Sequence, residues 1–135
     1  MGGVGRVKVL LDTHIWIWYL TGAKELPKKF RQKIEETTTE LHLSAISQWE
    51  AHLLLERGRI PSSSTPRVWI QAALQALQVR EVSVSASILI RSREIETMNQ
   101  DPADRIIAAT AAEGNLLLLT ADKALQRCKE IRVFR

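Results

Sequence analysis

Unbroken apolar stretches alternate along the chain with stretches whose apolar residues recur every three or four positions. Arg6 to Leu11 (RVKVLL) is β-branched and apolar, which predicts a buried strand ending at Asp12. Thr13 to Leu20 (THIWIWYL) follows as a short helix, stopped at Thr21-Gly22. Pro27 to Thr37 is a charged helix with Phe30 and Ile34 on one face, and Leu41 to Ser44 (LHLS) is a second short strand. A helix opens at Ser47 and runs through Arg57 to Gly58, burying Ile46, Trp49, Leu53 and Leu54. After the turn-rich Pro61 to Thr65 come a helix over 66–77, a strand over 82–84 and a helix over 85–96. The helix over 66–77 carries Val68, Ile70, Ala73, Leu74 and Leu77 as its apolar face. Asp101-Pro102 begins a further helix through Glu113, with Gly114 as its stop. Leu116 to Thr120 (LLLLT) is a strand, Asp122 to Cys128 a last short helix, and Ile131 to Phe134 an edge strand.

Strands that alternate with helices, one of them without polar alternation, predict a parallel sheet covered on both faces. In such sheets ligands bind beyond the carboxyl ends of the strands, which places Asp12 and Asp122 near one edge. The 135 residues fit one domain over 1–135, and a chain of this length buries roughly 68% of its extended surface. Its first five residues, Met1-Gly2-Gly3-Val4-Gly5, read as an added or disordered leader. With one cysteine, Cys128, neither a disulfide framework nor a multi-thiolate zinc site is available. No apolar run reaches the roughly 18 residues of a membrane span and no signal peptide is evident, so the expectation is a cytoplasmic protein without membrane contact. The net charge of +4 is compatible with a polyanionic partner without demanding one.

The acids are unevenly placed. Eleven Glu accompany only four Asp, and Asp12, Asp101, Asp104 and Asp122 each sit where a strand ends or a helix begins. Each has two explanations. Asp101 before Pro102 suits a helix cap, Asp104 three residues on suits the helix dipole, and Asp12 and Asp122 are placed to cap as well as to react. Glu50 flanks a buried stripe and needs a partner, either Arg57 or a cation. If Asp12, Glu50, Asp104 and Asp122 converge, each pair about 4 Å apart repels by roughly 4 kcal/mol at an effective dielectric near 20. A hard divalent cation relieves that repulsion while keeping the oxygens ionised, and an all-oxygen site suits Mg2+ or Mn2+. Such an ion with free coordination positions suits phosphoryl chemistry. Arg105 and Lys123, each beside one of these acids, are candidates to hold flanking phosphates, or else lie on solvated helix faces. Ile15, Trp16, Ile17 and Trp18 cannot all meet one core from a single helix, which predicts an exposed apolar patch and a protein partner. Gly-x-Ser-x-Gly, His-Glu-x-x-His, Walker and Gly-x-Gly-x-x-Gly motifs are all missing, which removes acyl-transfer, zinc-protease, NTPase and dinucleotide functions.

In order along the chain, VLLDTHIWIWYL, SAISQWEAHLLLERGRI and DPADRIIAATAAEGNLLLLTADKAL resemble the PIN-domain nucleases, and among them the VapC-type toxins of toxin–antitoxin modules. The resemblance runs from about Lys8 to Phe134. It implies a three-layer α/β/α sandwich around a short, mostly parallel sheet. It also implies an acidic pocket that binds Mg2+ or Mn2+ and hydrolyses RNA to 3′-hydroxyl and 5′-phosphate ends. The family's acids fall on Asp12, Glu50, Asp104 and Asp122. Thr120 falls on a supporting hydroxyl position, and Asp101 ranks below the four as a second supporting residue. The implied partners are RNA, a VapB-type antitoxin and a second copy of the chain. Alternatives are a PIN-fold nuclease for RNA processing or structured DNA, and a non-enzymatic acidic-pocket or receiver-like module. A receiver needs an acidic pair after its first strand and a haloacid-dehalogenase phosphatase a second Asp two residues on; Thr13-His14 supplies neither.

Overall fold

The computed structural model describes residues 5–135; Met1 to Val4 of the expected leader lie outside the described residues. The elements are β1 (Val7–Leu11), α1 (Thr13–Thr21), α2 (Lys28–Glu35), β2 (Thr39–Ser44), α3 (Ala45–Glu56) and α4 (Pro66–Ala76). They continue with β3 (Arg80–Val82), α5 (Ala86–Glu94), α6 (Pro102–Gly114), β4 (Leu117–Leu119), α7 (Lys123–Gln126) and β5 (Arg132–Val133). The five strands form one wholly parallel sheet in the order β3-β2-β1-β4-β5. The chain builds outward from β1 to β3 and then crosses back to lay β4 on the other side of β1. The topological switch therefore lies between β1 and β4, where an open parallel sheet leaves a crevice beyond its strand ends.

Successive strand residues point to opposite faces, and the core divides accordingly. Val9, Leu11, Leu41, Leu43 and Leu119 pack on one side against Ile15, Trp16, Phe30, Ile34 and Ala51 of the first three helices. Leu10 and Leu118 pack on the other against Ile107, Ala108, Ala111 and Leu125. The expected α/β/α sandwich is thus built by the two-residue period of the strands. Among the described residues, no helix is long and apolar enough to cross a membrane.

Several boundaries differ from the sequence expectation. Helix α3 begins at Ala45 rather than Ser47, because the Ser44 hydroxyl accepts from the Ile46 N–H and the strand turns directly into the helix. Strand β3 covers 80–82 rather than 82–84: Val82 pairs with Ser44, the last residue of β2, so Ser83 and Val84 have no strand to join. Helix α6 runs through Gly114, and the left-handed residue that ends it is Asn115, with φ of 50° and its N–H aimed at the Ala111 and Ala112 carbonyls. In α4, Val68 is exposed and Trp69 turns inward in its place. Helix α1 runs one residue past its expected end and β2 begins two residues early, at Thr39, while β1, α2, α4, α5, β4, α7 and β5 are each shorter than expected by a residue or more.

The exposed patch expected on α1 is absent. Ile15, Trp16 and Ile17 are all buried, because this helix lies between the sheet and the α3–α4 pair and has no solvent side over those residues. Trp16 meets Trp69 edge-on, with ring centroids 6.1 Å apart.

The positive φ at residue 115 carries a direct test. Replacing Asn115 by Gly is expected to leave the urea midpoint unchanged or raised. A β-branched Val there is expected to cost about 1–2 kcal/mol, because its side chain clashes with the backbone in the left-handed region.

Candidate metal centre and active site

Asp12 sits at the switch point. Its N–H bonds the Leu119 carbonyl at 3.0 Å, so the end of β1 is still paired with β4 when the chain turns into α1. The side chain is 6% exposed, with both oxygens held. The Thr13 N–H donates to Oδ1 at 2.8 Å and the Thr120 hydroxyl to Oδ2 at 2.6 Å. Burial raises its pKa above the ordinary carboxylate range, against the lowering by those two bonds and by His14, while the neighbouring Asp122 adds to the rise. The Thr120 hydroxyl also accepts from the Asp122 N–H at 3.0 Å and so links Asp12 to Asp122.

Glu50 reaches the same place from α3. Its partner is not Arg57; the Thr13 hydroxyl donates to its Oε1 at 2.5 Å and lies 2.8 Å from the buried Ser47 hydroxyl. No ion pair joins Glu50 to Arg57 among the described residues. Burial pushes the Glu50 pKa up to about 7; the Thr13 bond lowers it and the charges of Asp104, Asp12 and Asp101 raise it. Asp104 is pushed up to about 6 by burial, with Asn99 lowering it and Asp12, Asp101 and Asp122 raising it.

The end of α6 resolves the choice between capping and reacting. Asp101 caps the helix through one oxygen, accepting from the Asp104 N–H at 3.0 Å. It nevertheless stands with Glu50 and Asp104, the three offering oxygens that all lie within 4.8 Å of one another. Asp101, ranked below the other acids in the sequence, is therefore a full member of the cluster's geometry. Asp122 likewise caps α7, its Oδ1 accepting from the Leu125 N–H at 2.9 Å, and keeps Oδ2 for the cluster.

Asn99 was not anticipated. Its side-chain amide donates to Asp104 Oδ2 at 2.9 Å and to Asp122 Oδ2 at 3.0 Å, and its own oxygen accepts from the Asp101 N–H at 2.8 Å. One neutral carboxamide thereby ties three acids together. Nothing in an isolated Met-Asn-Gln stretch signals this; the only available hint is its place two residues before a helix-capping Asp.

The expectation that Arg105 grips phosphate is corrected. Its guanidinium is buried and donates to the carbonyls of Ser92, Ile95, Thr97 and Asn99. Every direction it offers is spent on fixing the 95–99 loop, and through it Asn99. Lys123 is exposed beside Asp122. Trp49, expected in the core, is 56% exposed, while Ile46, Leu53 and Leu54 are half-buried.

The arrangement gathers hard oxygen donors from β1, α3, α6 and the β4–α7 turn at the crevice between β1 and β4. The PIN domain family model matches residues 9–131. The chain belongs to the PIN domain family. Ribonuclease VapC22 of Mycobacterium tuberculosis is 34% identical over 119 residues, covering 87% of this chain and 89% of that protein. Among solved structures, the PIN fold of this chain aligns with one in the crystal structure of VapBC2 from Rickettsia felis bound to a promoter DNA fragment, at a TM-score of 0.69. That match has 16% identity over 95% of this chain and 98% of the other. A toxin–antitoxin complex from Klebsiella pneumoniae matches at 0.65, with 22% identity over 94% and 96%.

Two outcomes follow from the PIN site's electrostatics. Between about pH 4.5 and 7 the folded chain holds protons on Glu50 and Asp104 that the unfolded chain has released, so metal-free stability falls as pH rises through that window. After screening by water at these half-open groups, the melting temperature is expected to fall by about 5 °C between pH 5 and 7.5. Glu50→Gln is expected to flatten the curve, and Mg2+ or Mn2+ to restore stability mainly at the higher pH. For Asn99→Ala, a loss of about 1–3 kcal/mol in the metal-free protein is expected, since two carboxylates lose their shared donor. Mn2+ should then raise the variant's melting temperature by more than it raises that of the parent, read by calorimetry in both.

Proposed function

We propose that the protein is an endoribonuclease dependent on Mg2+ or Mn2+, acting as the toxin of a two-protein toxin–antitoxin pair. The observation that carries this is the cluster of Glu50, Asp101 and Asp104, linked through Thr13, Thr120 and Asn99 to Asp12 and Asp122 at the switch point of a PIN fold. The name of the curated relative, a VapC ribonuclease, and the toxin–antitoxin assemblies among the structural matches support the substrate and the partner. The cluster offers only hard oxygen donors, the ligand type a small divalent cation favours, and a bound cation would relieve the repulsion among them. When bound, such an ion neutralises charge on the transferring phosphate and lowers the pKa of attacking water.

The chain's own residues divide the remaining work. Asp12 and Asp104 would hold the principal cation, with Thr13 and Thr120 fixing Asp12. Asp122 would share that ion or hold a second. Glu50, anchored by Thr13, orients the attacking water along the line through phosphorus, leaving 3′-hydroxyl and 5′-phosphate ends. Lys123 stands where a flanking phosphate passes. Asp12 is poorly suited to the receiver alternative: both oxygens are engaged and the group is buried, whereas a phospho-acceptor must present one oxygen to its donor. A cytoplasmic antitoxin that covers the acidic crevice, and pairing of two copies of this chain, complete the proposal.

Purified protein incubated with total RNA is expected to cut it in Mg2+ or Mn2+ and to stop in EDTA. Asp12→Asn and Asp104→Asn are each expected to reduce cleavage by about 100-fold or more. Cutting that persists equally in both variants would assign the activity to a contaminant. Cutting of structured DNA in preference to RNA would redirect the substrate while leaving the metal site intact.

A further inference from the structure

Trp49 lies two residues from both Ser47 and Ala51, the buried positions of α3, and so points away from the core. It lines a cavity of about 260 Å³ together with Leu53, Pro102 and Ala103, and its other walls are Glu50 and Asp101. The cavity therefore opens directly onto the acidic cluster, sharing two of its carboxylates. His14 and Arg57 also line it. His14 is close enough to Asp12 to lower its pKa. Arg57 is exposed and in no ion pair among the described residues.

We propose that this cavity is a nucleobase subsite, in which a base beside the scissile phosphate stacks on Trp49 while Arg57 meets the next phosphate. The inference rests on the ribonuclease proposal and adds where the strand lies. Three features favour a nucleotide over a protein side chain. The cavity adjoins the cluster, so a phosphate held there brings its neighbouring nucleoside into the opening. Its volume lies below the roughly 300 Å³ of pockets for drug-sized ligands and suits one planar ring between apolar surfaces. An indole and a guanidinium on one rim match the alternating face and charge of a single strand, and stacking of this kind is sequence-tolerant.

The test is cleavage of short single-stranded RNA in Mn2+ by the parent, Trp49→Ala, Trp49→Phe and Arg57→Ala. Trp49→Ala is expected to raise KM by about 10-fold or more, with a smaller change in kcat, and to redistribute the cut sites. Trp49→Phe is expected to restore most of the loss, and Arg57→Ala to weaken the dependence of KM on salt. Mn2+ affinity by calorimetry should match the parent in all three, which separates a substrate contact from a damaged metal site. Unchanged KM and cut sites in Trp49→Ala would overturn the subsite. So would a variant that cuts RNA normally and loses only the binding of an antitoxin chain, which would make the cavity a protein-docking site. If the parent cuts no RNA, the ribonuclease proposal fails on its own. The subsite is then read from equilibrium binding of single-stranded oligonucleotides to Ca2+-loaded protein, where Trp49→Ala must weaken binding by about 10-fold or the subsite fails too.

Discussion

The burial of several carboxylates in one crevice, where they also repel one another, is the constraint around which this molecule is arranged. Asp12, Glu50 and Asp104 all have raised pKa values, and in each case burial is the largest cause, with neighbouring acids adding to it. The fold holds this unfavourable arrangement by surrounding the acids with neutral donors rather than cations. Thr13, Thr120, Asn99 and the N–H groups of three helix starts do that work. A lysine or arginine inside the cluster would have stabilised it more strongly and would have competed with a metal ion. Arg105, next in sequence to Asp104, is turned away onto backbone carbonyls.

That arrangement also explains why capping and chemistry are not rival explanations for these aspartates. A helix that starts immediately after a strand places its N-cap at the strand's carboxyl end, which is where the crevice lies. Asp122 uses one oxygen as a cap and the other to accept from Asn99, and Asp101 caps α6 while standing with Glu50 and Asp104. The cap fixes the carboxylate's rotamer. A residue capping in this way is already oriented for ligation.

The order of strands and helices was legible because short apolar runs alternate with stretches of helical period. Asp12, Asp104 and Asp122 stood out because each lies at a strand end or helix start, and Glu50 because it flanks an apolar run. What it concealed was direction. The helix over Ala45–Glu56 gives no strong apolar stripe, so only packing shows that Ser47 and Ala51 face inward and Trp49 outward. On the Thr13–Thr21 helix, burial of consecutive residues depends on the helices above it, which periodicity within one segment does not report. Arg105 beside Asp104 looked like a phosphate contact, yet it lies on the inward face of the helix with Ile107 and Ala108, and its reach is consumed by backbone carbonyls six to 13 residues upstream. Asn99 was invisible for the opposite reason: its role depends on three acids that only tertiary structure brings to it.

Gathering five of the 15 acids into one crevice has a consequence for the rest of the surface. The 19 lysines and arginines then face only ten acids elsewhere, so the body of the protein is more basic than its net charge of +4 suggests. A polyanion is drawn toward the molecule as a whole and repelled from the one place where chemistry takes place. A bound divalent cation would offset part of that local negative charge, which would couple metal capture to seating of the strand. The coupling predicts an order of dependence: loss of peripheral charge, as at Lys123 or Arg57, weakens association in a salt-dependent way at any metal concentration. Loss of an acid in the crevice instead leaves long-range attraction intact and removes the seating that brings phosphorus to the site. Raising salt should therefore impair the parent through KM, and lowering metal should impair it through kcat, because the two act on different halves of one electrostatic design.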